Sequence, residues 1–185
     1  MIPPTPSRSP LRSALLCTLV TLVAAASLAA CGPAPAPTPT PTAAFASEES
    51  AFAAAEATYR AYTDALNAVD LSDPTTFETV FSLSSGDLLA ADRKTLSELH
   101  AAGYAFTGRM KVAAFEGIRS EPPFDEVLAI VCIDVSASDV VDSSGESVTA
   151  PDRPDVNPLQ VTFRYLDRGL LIDHADREPE AKCAA

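Results

Sequence analysis

Five side chains in the sequence are of the types that carry out general acid–base chemistry. A carboxylate can remove a proton, and a tyrosine hydroxyl can stabilise the oxyanion that forms, if both face one cavity. One aspartate, three tyrosines and a histidine could converge on such a candidate pocket: Tyr59, Tyr62, Asp134, Tyr165 and His174.

A structural role is the stronger interpretation of the same residues. Tyr59 and Tyr62 lie on an apolar stripe, where tyrosine rings usually belong to the core with the hydroxyl at its edge. Asp134 marks the point where a strand emerges into solvent, and His174 lies near a strand end. We therefore predict no catalytic residues, and no carboxylate inside the pocket within hydrogen-bonding reach of Tyr59, Tyr62 or Tyr165.

Metal and cofactor chemistry have little support in the sequence. The chain contains only two histidines, and they are not spaced as metal ligands. It contains neither a glycine-rich phosphate loop nor a Gly-x-Ser-x-Gly nucleophile motif. We predict no metal site and no cofactor.

The N-terminus has the layout of a secretory signal. Arg8 and Arg12 precede an apolar run from Ala14 to Leu28, and no acidic residue occurs before Glu48. The run is shorter than the roughly 20 apolar residues that span a bilayer.

The signal ends in Leu-Ala-Ala-Cys-Gly over residues 28–32, which matches the bacterial lipobox. This resemblance implies cleavage between Ala30 and Cys31 and a diacylglycerol on Cys31, and two acyl chains suffice for stable anchoring. A soluble secreted protein with a chance cysteine at this position is the alternative. The predicted location is the outer face of the cell membrane.

The remaining cysteines fit an exported protein. Cys17 leaves with the signal and Cys31 carries the lipid, so that Cys132 and Cys183 remain. Two leftover cysteines in an oxidising compartment usually form a disulfide. The alternative is a buried thiol at Cys132 and a loose one in the tail.

Charge excludes one class of partner. The formal net charge is −12, and it becomes −14 when residues 1–30 are removed. Nucleic acid needs a basic face, so we exclude it as a partner. The predicted partners are the membrane, through the lipid, and either a surface protein or a small apolar ligand.

The composition divides the chain into three segments. Residues 1–30 are the signal, residues 31–46 carry the lipid and a Pro/Thr-rich linker, and residues 47–185 form one α+β domain. Apolar spacing predicts a helix from Ser47 to Val69, a short helix starting at Asp73-Pro74, and a third over residues 87–102 that ends at Gly103.

The period then changes from helical to alternating. Residues 127–135 are apolar on both faces, which predicts a central strand. The alternation from Leu159 to Tyr165 and the turn at residues 167–169 predict a hairpin with Gly169 at positive φ.

Helices followed by a bent antiparallel sheet resemble the NTF2-like family, and more narrowly actinobacterial lipoproteins of that type. The strings that carry the resemblance lie at residues 59–62, 70–74, 91–94, 131–135, 151–154 and 171–173. NTF2-like domains include enzymes, ligand carriers and interaction modules, so the resemblance implies the fold more than the function. We expect a non-catalytic interaction domain. The alternatives are a binder of a small apolar ligand in the cone-shaped cavity and an isomerase- or dehydratase-type enzyme.

Overall fold

The computed structural model describes residues 43–183, and the predicted signal, the lipid site at Cys31 and most of the linker lie outside them. The first helix, α1, spans Glu48–Asn67, close to the predicted bounds. Ser47 caps it: its hydroxyl accepts the backbone N–H of Ser50, and the Ser50 hydroxyl accepts that of Ser47. Acidic side chains in the first turn suit the positive end of the helix dipole.

Two further helices and a single 3-10 turn follow. The turn covers Pro74–Phe77 with Asp73 as its cap, α2 covers Glu78–Leu83, and α3 covers Gly86–Ala102. Gly103 ends α3 with φ 71°, which confirms the predicted left-handed cap.

Six antiparallel strands complete the domain. Four of them form one sheet in the order β2-β3-β5-β6, while β1 pairs with β4 in a separate ribbon. The strands are β1 Ala105–Gly108, β2 Lys111–Arg119, β3 Glu126–Asp134, β4 Ser138–Val141, β5 Val156–Leu166 and β6 Gly169–Arg177. The predicted central strand and the β5–β6 hairpin are both confirmed.

The core lies between α1 and one face of the large sheet. Ala51, Ala55 and Tyr59 of α1 are buried against residues such as Val131 and Phe163, which are fully inaccessible. Neither surface is stable alone in water, so each element is held by the other. The expected α+β fold, with helices packed on an antiparallel sheet, is confirmed.

The last strand contains a β-bulge. Thr162 of β5 pairs with His174, but the next residue, Phe163, pairs with Ile172. Asp173 is therefore the extra residue in β6, without a partner on β5. An extra residue reverses which side chains face the core beyond it. Ile172 is fully buried before the bulge, and Ala175 takes the inward position after it.

The predicted disulfide between Cys132 and Cys183 is confirmed, with the two Cα atoms 5.7 Å apart. Cys132 lies on β3 between Val131 and Ile133, whose side chains belong to the core. Alternation therefore places Cys132 on the opposite face of the sheet. The bond fixes the C-terminal tail against that outer face.

Among residues 43–183, no helix is both long enough and apolar enough to cross a membrane.

Candidate functional site

A cavity of about 290 Å³ opens between α1 and the sheet. Its walls come from the second half of α1, the start of α3, the β1–β2 connection and three strands. The lining residues are Tyr59, Tyr62, Thr63, Leu66, Leu88, Met110, Ile133, Leu159 and Ala175. The lining is mostly apolar with a few hydroxyl groups, which is the usual composition of a small-molecule site.

Tyr59 supplies a free polar group to this cavity. Its ring is 4% exposed and meets the Phe163 ring edge-on. Its hydroxyl makes no hydrogen bond within residues 43–183 and is not among the fully buried orphan atoms there, so it reaches the open space. Burial raises the pKa of Tyr59, and the Asp92 charge adds to the increase. The hydroxyl therefore stays protonated and can donate to a ligand.

The Tyr62 hydroxyl is bound to a carboxylate that lies outside the cavity. It donates to Oδ1 of Asp92 at 2.7 Å. Burial raises the pKa of Tyr62, and the nearby Asp92 charge raises it further. Because the proton is already directed at Asp92, only the oxygen lone pairs of Tyr62 are free toward the cavity.

Asp92 itself is a partly buried acid with one unpaired oxygen. Burial raises its pKa, while the hydrogen bond from Tyr62 and the nearby Ser84 hydroxyl partly offset the rise. The Ser84 hydroxyl itself donates to the Val80 carbonyl, at 3.3 Å, rather than to Asp92. Among the described residues, the Asp92 Oδ2 is the buried side-chain oxygen or nitrogen that lacks a hydrogen-bond partner. An ionised carboxylate with an orphan oxygen is costly in such a place.

The sequence predicted no carboxylate within reach of these hydroxyls inside the pocket, and Asp92 does not line the cavity. Sequence reasoning nevertheless missed the Tyr62–Asp92 pair, which lies just outside it. The sequence did contain a signal. Leu88, Asp92, Leu96 and Leu99 share one face of α3, and the three leucines pack on the core. A lone acid on an inward apolar stripe needs a buried partner, and Tyr62 provides it.

Asn67 fixes the rim of the cavity. Its side-chain amide donates to the Met110 carbonyl at 2.9 Å and accepts the Met110 N–H at 2.8 Å. The amide thus makes the same pair of hydrogen bonds as a residue of a neighbouring strand would, and it joins the end of α1 to the β1–β2 connection. Met110 is held against the cavity as a result.

Asp134 lies outside the cavity. Ile133 points inward, so alternation turns Asp134 to the other face of β3. Its carboxylate accepts from the Ser136 hydroxyl and N–H and lies 3.1 Å from Lys111 Nζ. These Ser136 hydrogen bonds, with help from Lys111, lower the pKa of Asp134 to about 2. Asp134 therefore forms an ion pair with Lys111 outside the cavity and is not a candidate base.

Tyr165 and His174 are also away from the cavity. Tyr165 is 46% exposed, and its ring meets that of Phe45, just before α1, edge-on at 5.5 Å between centroids. His174 falls just after the bulge in β6, which turns it outward. Its ring lies 2.7 Å from Asp176 and 3.6 Å from Asp87.

A second depression, more polar and open, lies beside β4, with a volume of about 420 Å³. Two of its charged side chains are paired within the protein. Asp139 accepts from Ser147 and Thr149, and Arg153 donates to the carbonyls of Val135 and Ser138.

A groove with three basic side chains lies next to the apolar cavity. The two share Thr63 and Met110, and the charged residues that line the groove are Arg60, Asp64, Arg109 and Lys111. Over residues 43–183, no three His, Cys, Asp or Glu side chains are grouped closely enough to hold a metal ion.

No family model matches the chain, and no curated protein matches it. A candidate aromatic ring hydroxylase from Novosphingobium aromaticivorans is similar in structure, with a TM-score of 0.50, 14% identity, and coverage of 68% of this chain and 86% of that one. At this identity the likeness shows the fold alone, and that fold is consistent with the NTF2-like resemblance.

Two other solved structures are more distant. The intermembrane-space region of the chloroplast protein ARC6 has a TM-score of 0.48 at 14% identity, covering 68% of this chain and 95% of that one. A candidate polyketide cyclase from Xanthomonas campestris has a TM-score of 0.38 at 15% identity, covering 69% of this chain and 91% of that one. No argument about function follows at these scores.

Proposed function

We propose that the domain binds a small, mostly apolar molecule in the cavity beneath α1. The observation that carries the proposal is the open, apolar space of about 290 Å³ with the free Tyr59 hydroxyl in its wall. With about 30 Å³ of liquid per water, this volume accommodates roughly ten non-hydrogen atoms. The sequence favoured a protein-interaction domain, for which a filled core would have been expected, and the open cavity favours the ligand-binding alternative.

Binding is better supported than catalysis because of where the acid lies. Asp92 is not part of the cavity wall, and Tyr62 stands between its Oδ1 and the open space. A general base must come within hydrogen-bonding distance of the proton that it removes. The raised pKa values of Tyr59 and Tyr62 make them neutral hydrogen-bonding groups rather than bases.

An acid–base enzyme is the second candidate, and the Tyr62–Asp92 pair is the observation that favours it. A partly buried acid with a raised pKa beside a tyrosine is common at active sites. Asp92→Asn distinguishes the two candidates. An enzyme would lose turnover on its substrate, whereas a binding domain would retain affinity, because asparagine still accepts the Tyr62 hydrogen bond.

The proposed function is tested by filling the cavity. Ala175 lies in the cavity wall, so Ala175→Leu places three more carbons in the space that a ligand would occupy. We expect the affinity for decan-1-ol, measured by isothermal titration calorimetry, to fall tenfold or more, a loss of about 1.4 kcal/mol or greater. Native mass spectrometry of the purified protein should also show a bound small molecule that the variant lacks.

Ala113→Leu is the matched control, since Ala113 is exposed on β2 and lies outside the cavity. It should bind decan-1-ol as the unaltered protein does. Absence of decan-1-ol binding and of any copurified molecule, or equal binding by Ala175→Leu, would contradict a ligand-binding role.

We also propose that the domain is held at the outer face of the cell membrane by a lipid on Cys31. The lipobox over residues 28–32 and the disulfide between Cys132 and Cys183, which suits an oxidising compartment, support this placement. Cys31→Ser should block cleavage after Ala30 and abolish metabolic labelling with a fatty acid. A labelled Cys31→Ser protein would rule out this attachment.

A further inference from the structure

The chain is strongly acidic, yet basic side chains gather at one place. The formal charge is −12 with only thirteen lysines and arginines, and three of these line the groove next to the cavity. They come from two separate parts of the chain, Arg60 on α1 and Arg109 and Lys111 at the β1–β2 connection. The fold therefore brings positive charge close to an apolar space.

The three cations differ in how firmly they are paired. Arg60 lies 2.7 Å from Glu56 and Lys111 lies 3.1 Å from Asp134. Arg109 reaches its nearest acid among the described residues, Asp64, only at 3.9 Å, and both side chains are more than two-thirds exposed. An exposed pair at that separation contributes little. Arg109 is thus the cation that is most available to a ligand.

The interior of the cavity has the opposite character. Its far wall includes Leu88, one helical turn before Asp92 on α3, and Asp92 lies directly behind Tyr62. An anion placed there would lose its hydration and meet a like charge. The cavity therefore excludes an anionic group from its depth, while the rim attracts one.

We propose that the ligand is an amphiphilic carboxylate, whose apolar body fills the cavity and whose carboxylate lies at the mouth against Arg109. The planar guanidinium matches the two carboxylate oxygens. Asp64 lines the groove beside Arg109, and Glu56 and Asp134 already pair with Arg60 and Lys111, so a singly charged head is favoured over a doubly charged phosphate. This inference rests on the proposed ligand-binding function and specifies its ligand class.

Three probes with the same chain separate the head group from the body: decanoate, decan-1-ol and decylammonium. For the purified full-length protein we expect the order of affinity to be decanoate, then decan-1-ol, then decylammonium. Arg109→Gln should weaken decanoate binding by about three- to fivefold and leave decan-1-ol unchanged. Asp64→Asn should strengthen decanoate binding, because it removes the acid that competes for Arg109.

Arg119→Gln is the matched control, since Arg119 is a similarly exposed arginine at the far end of β2 and does not line the groove. It should leave all three affinities unchanged. Raised salt should reduce the advantage of decanoate over decan-1-ol.

The outcomes separate the inference from the function on which it rests. If decan-1-ol binds and is lost in Ala175→Leu, but decanoate binds no better or is insensitive to Arg109→Gln, the carboxylate assignment is wrong and the cavity remains a binding site. If none of the three probes binds, both proposals are wrong.

Discussion

At the scale of single residues, Asp92 and Asp134 show how position determines the behaviour of an acid. Burial raises the pKa of Asp92, whereas hydrogen bonds from Ser136 lower that of Asp134 to about 2. Asp92 therefore favours the folded state most when it is protonated, below its unfolded pKa of 3.8, and this contribution is lost as pH rises through its folded pKa. Asp134 behaves oppositely, since its contribution is present above 3.8 and is lost as pH falls toward 2.

We therefore expect Asp92→Asn to be at least as stable as the unaltered protein at pH 7, with the advantage disappearing near pH 4. Asp134→Asn should be less stable at pH 7, and its deficit should shrink in acid. Urea unfolding from pH 3 to 8 measures both. A loss of stability at pH 7 in Asp92→Asn would show that the ionised carboxylate is favourable where it lies.

At the scale of elements, the connection between α1 and the β1–β2 segment depends on one side chain. Removal of the Asn67 amide leaves the Met110 N–H and C=O without their partners. We expect Asn67→Ala to lower the free energy of unfolding by about 1–3 kcal/mol. Amide hydrogen exchange at Met110 should also become faster.

Asn67→Asp is the informative comparison, because a carboxylate accepts from the Met110 N–H but cannot donate to its carbonyl. The free energy of unfolding of Asn67→Asp should lie between that of Asn67→Ala and that of the unaltered protein. Unchanged exchange at Met110 in Asn67→Ala would mean that packing alone holds the rim.

Regular elements could be predicted from the sequence because their signals are local. The apolar stripe and caps of α1, the left-handed end of α3 at Gly103 and the β5–β6 hairpin all follow from neighbouring residues. The site could be predicted only in part. Tyr59 and Tyr62 line the cavity, but Asp92 was missed because its partner is thirty residues away on another helix.

The other candidate residues failed for a different reason. Strict alternation does not reveal a bulge, and the extra residue in β6 moves His174 outward and Ala175 inward. Tyr165 follows the inward pattern of β5, yet the strand outruns the helix that would cover it. Both departures depend on how the elements are matched in length and register.

At the scale of the whole domain, the two ends of α1 have different surroundings. Phe45 contacts Tyr165 where the described chain begins, and the cavity lies beside the last turns of the helix at Leu66. The helix begins at Glu48 and the cavity is lined by Tyr59 to Leu66, so that at 1.5 Å per residue these regions are about 17 to 27 Å apart. The proposed lipid would therefore join the domain at the end opposite its binding site.

The disulfide between Cys132 and Cys183 also determines how the domain carries mechanical load. A pull between the beginning of the domain and its C-terminus would pass from β3 directly through the sulfur–sulfur bond to the tail. The intervening strands β4, β5 and β6 lie on a closed loop and bear no tension. The chain between the two cysteines, a separation of 51 residues, would span about 170 Å if fully extended, and it cannot be extended by such a pull while the bond is intact. The domain thus keeps half of its four-stranded sheet outside the covalent path of a force on its ends.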